Sequence, residues 1–135
     1  MSNQLENGLE LMVQYEKRGG LVPVIVQNVV SGKVLIMAYA NKAALDTTLE
    51  TGYATFWSTS RNELWTKGLT SGDMLEIKDV LVDCDQDALV YRVSMVGKGA
   101  CHTKNSEGKT RESCFYRVVK SEGGQYRLEF IEGME

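Results

Sequence analysis

Three cysteines and one histidine are the residues best suited to chemistry in this 135-residue chain. Cys101 and His102 are adjacent, Cys114 follows a polar loop, and Cys84 lies upstream. A catalytic zinc ion favours thiolate and imidazole ligands and keeps three protein ligands plus one open position for water. Three thiolates meet that count, and the lack of a CxxC pair disfavours a zinc ribbon or finger. Three unrelated buried cysteines, packed as small hydrophobes, would fit equally well. Against that, Cys101 and Cys114 flank a run of Lys, Asn, Ser, Glu, Gly and Arg that belongs at a surface. His102 suits a fourth ligand, a general base or a hydrogen-bonded structural residue. Adjacent ligands rarely both reach one tetrahedral centre, so the base role is preferred, with a near-neutral pKa suited to proton transfer.

A second cluster is Asp83-Cys84-Asp85-Gln86-Asp87. Carboxylates at every second position suit a hard cation such as Mg²⁺ or Ca²⁺. An EF-hand loop is excluded, because counting from Asp83 its Gly place is Ala88 and its final Glu place is Ser94. If the segment is extended, Asp83, Asp85 and Asp87 share one face and Cys84 takes the other. A solvated acidic loop would read the same way.

The third cluster runs from Phe56 to Gly72. Trp57, Ser58, Ser60, Arg61, Trp65, Lys67, Thr70 and Ser71 combine hydroxyls, cations and aromatics in a turn-rich segment. Backbone N–H groups near glycine can cradle phosphate, and Arg61 and Lys67 supply local positive charge. The two tryptophans could equally be core residues. No Walker A or dinucleotide fingerprint occurs.

The elements that must position these groups read as mainly β, a β-rich α+β single compact domain with one or two short helices. Leu5, Leu9, Met12 and Val13 recur at helical spacing up to Gly19-Gly20, although Gly8 weakens that helix. Val22 to Val30 and Val34 to Tyr39 read as a hairpin across Ser31-Gly32. Asn41 caps a helix from Lys42 to about Glu50, which Gly52 stops. Tyr53 to Ser58, Leu75 to Asp83 and Ala88 to Val96 follow as strands. Ser113 to Val119 and Gln125 to Phe130 flank the turn Glu122-Gly123-Gly124. The sequence shows no repeat, low-complexity tract or linker.

The formal charge of −3 argues against binding a long nucleic acid, so an anionic ligand needs a local basic patch. No apolar run is long enough to span a bilayer, and the polar N-terminus is unlike a signal peptide. An odd cysteine count without an export signal favours reduced thiols, so a cytoplasmic location is expected.

Taken in order, these segments resemble the phosphoribosyl-AMP cyclohydrolases of histidine biosynthesis, from about Gly20 to Arg117. The carriers are Gly20-Leu21-Val22-Pro23, Leu35 to Asn41, Trp57 to Arg61, Leu64 to Gly68, Thr70-Ser71-Gly72, Asp83 to Asp87, Cys101-His102-Thr103 and Ser113 to Arg117. Each is weak alone, and together they are specific. The resemblance implies an intertwined homodimer with zinc held by Cys84, Cys101 and Cys114, Cys84 coming from the partner subunit. It implies Mg²⁺ on Asp83, Asp85 and Asp87, and a small-molecule nucleotide substrate. The implied reaction is hydrolysis of the adenine N1–C6 bond of phosphoribosyl-AMP, with His102 moving the proton. An N1-substituted adenine is electron-poor at C6, so water activated by zinc can attack there at neutral pH.

Three departures from the family pattern stand out. Twelve residues, His102 to Ser113, separate the last two cysteines, where the family has a much shorter loop. Doubling a flexible loop costs only about 0.6 kcal/mol, so the longer loop bears on access or substrate choice more than on zinc. Thr59 replaces a common arginine, and Asn28 and Ala40 stray in the N-terminal half. With no appended pyrophosphohydrolase segment, one pathway step is expected. The alternatives are a paralogue acting on another purine nucleotide and a non-catalytic metal-binding or sensing module. A zinc nucleobase deaminase is disfavoured, since H-x-E and P-C-x-x-C are both missing.

Overall fold

The computed structural model describes residues 4–135. Its centre is a four-stranded mixed sheet in the order β2-β1-β6-β5, formed by β1 (Val22–Asn28), β2 (Val34–Ala40), β5 (Leu75–Val82) and β6 (Leu89–Met95). β1 pairs antiparallel with β2 and parallel with β6, and β5 pairs antiparallel with β6. β3 (Thr55–Ser58) and β4 (Glu63–Thr66) form a separate hairpin, as do β7 (Arg117–Glu122) and β8 (Gln125–Phe130). The expected β-rich domain is present.

Period-two alternation explains the core. Val22, Val24 and Val26 of β1 are fully buried while the residues between them are half-buried. They pack with Leu35, Leu45, Phe56, Leu75, Leu89, Tyr91 and Val93 into one cluster.

The helix α2 (Lys42–Thr51) follows its sequence signals. The Asn41 side chain accepts from the Ala44 amide at 2.8 Å, and Gly52 closes the helix at φ +83°. Thr48, fully buried, accepts from the Thr55 amide at 2.9 Å, which ties α2 to β3. The last hairpin also follows its turn: Gly123 and Gly124 both have positive φ, as a two-residue type I′ turn requires.

Four expectations need correction. The N-terminal helix is a single turn, α1 (Gln4–Asn7), and a 3₁₀ turn at Tyr15–Arg18 follows separately. Leu9 is fully exposed, so the apolar spacing had no surface to bury against, and an isolated helix that short does not propagate. The first strand stops at Asn28, because the Asn28 side chain accepts from the Val30 amide and turns the chain. The last hairpin begins at Arg117, four residues after the expected Ser113, because the backbone there is tied to β2 instead. β4 was not anticipated at all. It returns from β3 through Asn62, a non-glycine residue at φ +57°.

Candidate active site

Cys101 and Cys114 come together across the fold. Cys114 donates its backbone amide to Leu35 of β2 at 2.8 Å, and Ser113 donates its hydroxyl to Val34 at 2.6 Å. Cys101 is held on the facing strand-like segment, where its amide donates to Arg111 at 3.2 Å and Ala100 donates to Glu112 at 2.9 Å. The two thiols lie close enough to influence each other's protonation. Burial pushes the Cys114 thiol up to about 12, helped by the neighbouring Cys101 and opposed by Lys67. For Cys101, burial acts upward, but hydrogen bonds from the Thr103 hydroxyl and amide and the charge of Arg111 bring it below its ordinary value. Two sulfur donors placed together are a set suited to a soft metal ion.

Cys84 does not join them within one chain. It is exposed, and the one group of three metal-capable side chains that converges among the described residues is Asp83, Asp85 and Asp87. Those carboxylate oxygens lie within 4.8 Å of one another, as expected, but not through an extended strand. The segment is a turn with Gln86 at φ +55°, closed by Asp83, whose Oδ1 accepts from the Asp87 and Ala88 amides at 2.9 and 3.1 Å. Buried Gln86 explains the shape: its side chain accepts from Met12 at 2.6 Å and donates to Leu5 at 3.0 Å. Burial raises the Asp83 carboxyl, while the Lys17 ammonium beside Asp87 holds that carboxyl down at about 2. Lys17 bridges Asp85 and Asp87 at 3.1 Å each, and Arg18 reaches Asp87 at 3.3 Å. Oxygen donors so arranged fit a hard cation, and an ammonium ion already stands among them.

Two clefts of about 340 Å³ each share a wall made by Trp65 and Lys67. One is lined by Arg61, Leu64, Thr66, Gly68, Leu69, Thr70 and Ser71 and carries two cations without a carboxylate. The other holds Cys114 and His102 among Ile36, Met37, Ala38, Ala100 and Phe115. The chain therefore presents a basic, hydroxyl-rich trough running into a mostly apolar one that reaches Cys114. Gly68 is required at their junction: it is buried at φ +84°, and a Cβ there would collide with the Asp73 backbone.

Of the expected substrate residues, Arg61, Trp65, Lys67, Thr70 and Ser71 line this trough. Trp57, Ser58 and Ser60 are not among the lining residues. Ser58 instead accepts from the Arg61 amide at 3.2 Å and closes the β3–β4 turn. Trp65 is a cleft residue and not core: it rests on Phe56 at 5.5 Å between ring centres, and Phe56 stacks on buried Tyr91 at 5.6 Å. The reading of the sequence missed Met37, Ala38 and Phe115 as cleft walls. It also missed Thr103 and Arg111, which support Cys101. Only contact across the sheet singles these residues out.

This small β-rich domain sets two cysteines and a histidine beside a basic cleft, groups that suit a hydrolase. A family profile for phosphoribosyl-AMP cyclohydrolase matches residues 36–116. The chain is 46% identical to the phosphoribosyl-AMP cyclohydrolase of Desulfatibacillum aliphaticivorans, covering 82% of this chain and 83% of that one. It is 51% identical to that of Desulfotalea psychrophila over 74% of each chain, and 49% identical to that of Chlorobium chlorochromatii over 91% and 85%. The chain belongs to the phosphoribosyl-AMP cyclohydrolase family and is a hydrolase.

Proposed function

We propose that this chain hydrolyses the N1–C6 bond of the adenine ring of phosphoribosyl-AMP, as one step of histidine biosynthesis, in a zinc-dependent manner. Family membership supports the reaction. The observation that carries the site is Cys114, with buried Cys101 beside it, sharing a cleft with His102 and Lys67. The third zinc ligand is Cys84 of the partner subunit in a homodimer, since Cys84 of the same chain stands exposed and apart. Zinc held there supplies Lewis-acid activation of water at neutral pH.

The chain's own residues do the rest. The apolar cleft takes the purine against Trp65, Met37 and Phe115 and excludes bulk water. Arg61, Lys67, Thr70 and Ser71 hold phosphate in the adjoining trough. His102, exposed at the cleft, accepts a proton from the attacking water and returns it to the departing ring nitrogen. Asp83, Asp85 and Asp87 hold Mg²⁺ once Lys17 gives way. Three free thiols support a cytoplasmic setting, and among the described residues no helix is long and apolar enough to cross a membrane.

The test is turnover of phosphoribosyl-AMP by the metal-quantified protein, followed by absorbance of the ring-opened aminoimidazole carboxamide product. No product with zinc and magnesium both supplied would refute the reading. His102→Ala should lose most activity and keep its zinc, and Cys84→Ser should lose zinc. A protein that stays monomeric at working concentration would rule out the shared site.

A further inference from the structure

Arg111 belongs to the long loop between the two cysteines of the thiol pair, and its side chain points back at that pair. Its Nη1 donates to Thr103 Oγ1 at 3.2 Å, and Thr103 Oγ1 lies 2.9 Å from Cys101 Sγ. The Thr103 amide donates to the same sulfur at 3.4 Å. A guanidinium offers donors and no acceptor, whereas a threonine hydroxyl has one proton. Thr103 must therefore accept from Arg111, and its single proton is left for the sulfur. We propose that Arg111 is a positioning residue that locks the Thr103 hydroxyl as a hydrogen-bond donor to Cys101.

The lock is built from the C-terminal part of the chain. Arg111 Nε donates to the Met134 carbonyl at 2.9 Å. The guanidinium sits 4.0 Å over the Tyr116 ring and 5.6 Å from the Phe130 ring, and these two rings stack on each other at 6.1 Å. Three fixed contacts leave the guanidinium little freedom to turn away from Thr103. The backbone closes the same ring of contacts, since Arg111 donates its amide to Thr103 and accepts from Cys101, both at 3.2 Å. The β7–β8 hairpin and the chain after it thus acquire a role: they lie outside the matched family segment, yet they hold the group that orients a cysteine of the site.

A sulfur that receives two directed hydrogen bonds is held in one orientation, so less ordering is left for metal binding to accomplish. Loss of such outer contacts typically weakens metal binding by about 10–100-fold. The inference rests on Cys101 being a zinc ligand, so the experiment includes a variant that tests that alone.

Zinc affinity is measured by competition with a chromophoric chelator on the full chain. Thr103→Val, which keeps the shape and removes the hydroxyl, should weaken zinc by about 10-fold or more, and Thr103→Ser should restore it. Arg111→Met should weaken zinc in the native background and add less than about twofold in the Thr103→Val background, because both changes remove one relay. With cobalt(II) in place of zinc, both single variants should shift the thiolate-to-metal charge-transfer band. Thr103→Val binding zinc as tightly as the native chain, or the two effects multiplying independently, would overturn the relay. If Cys101→Ser also keeps full zinc, the zinc reading itself is wrong and the relay falls with it. If Cys101→Ser loses zinc while Thr103→Val does not, only the relay is wrong.

Discussion

The side-chain amide of Asn28 donates to Glu112 Oε2 at 2.9 Å, joining the end of β1 to the loop between Cys101 and Cys114. Glu112 also accepts from Ser31 at 2.7 Å and Lys33 at 3.3 Å, while its carbonyl receives the Ala100 amide. Buried Asn28 thus anchors the loop between the two cysteines to the end of β1.

That anchor has a pH dependence of definite sign. Burial pushes the Glu112 carboxyl up, but hydrogen bonds from Ser31, Asn28 and Lys33 outweigh it and leave the group below its ordinary value. A carboxylate depressed on folding contributes stability that is present above its unfolded value, about 4.3 for Glu. The contribution is lost as pH falls through the lower folded value. The native chain should therefore lose more Tm than Glu112→Gln as pH is lowered from about 5 to well below 4. Thermal melts of both proteins across that range decide it, and parallel curves would refute the anchor's charge.

Thr48→Val should show how α2 holds the cleft. The substitution keeps the volume but leaves the Thr55 amide, inside the buried layer, without its partner. An unsatisfied buried donor costs about 1–3 kcal/mol. The urea midpoint should fall accordingly with an unchanged slope. Because Thr55 begins the strand that carries Phe56, the Trp65 fluorescence should report looser packing before global unfolding.

Much of this architecture was legible because local chemistry and global packing agree. Asn41, Gly52 and Gly123-Gly124 mark their caps and turn by rules that need no tertiary context. The β1 alternation likewise announces its buried face. The N-terminal helix failed for the opposite reason: Leu9 had correct spacing but nothing to cover it, and periodicity alone cannot supply a partner surface. The aspartates were correctly grouped through the wrong geometry, because the left-handed turn at Gln86 depends on a side chain bonded to residues more than seventy positions away. Thr103 and Arg111 lay inside a polar loop whose spacing carries no periodic signal, so their contact with Cys101 emerges only on folding.

Lys17 makes the carboxylate triad separately testable. Its ammonium spans Asp85 and Asp87 and is the leading cause of the low Asp87 value of about 2. Under the proposed magnesium assignment, the metal must displace this internal cation. Lys17→Met should therefore bind Mg²⁺ more tightly than the native chain, by about 3–10-fold for the loss of exposed ion pairs worth up to about 1 kcal/mol each. Calorimetric titration with Mg²⁺ alone measures this. Weaker binding in the variant would mean that Lys17 supports the site instead of competing for it.

Arg61 and Lys67 separate phosphate holding from chemistry, because they occupy different parts of the trough. Arg61 lines only the basic cleft, whereas Lys67 also faces the thiol cleft, close enough for its charge to lower the Cys114 thiol. A charge-assisted hydrogen bond contributes about 1.5–3 kcal/mol, so removing either cation should cost roughly 10–100-fold in kcat/KM. For Arg61→Met the loss should fall on KM, since a contact made equally in ground state and transition state changes binding alone. For Lys67→Met kcat should fall as well, because that variant also removes the positive charge beside Cys114. Steady-state kinetics with phosphoribosyl-AMP distinguishes the two. Equal KM effects with kcat untouched in both variants would confine Lys67 to the phosphate and take it out of the reaction.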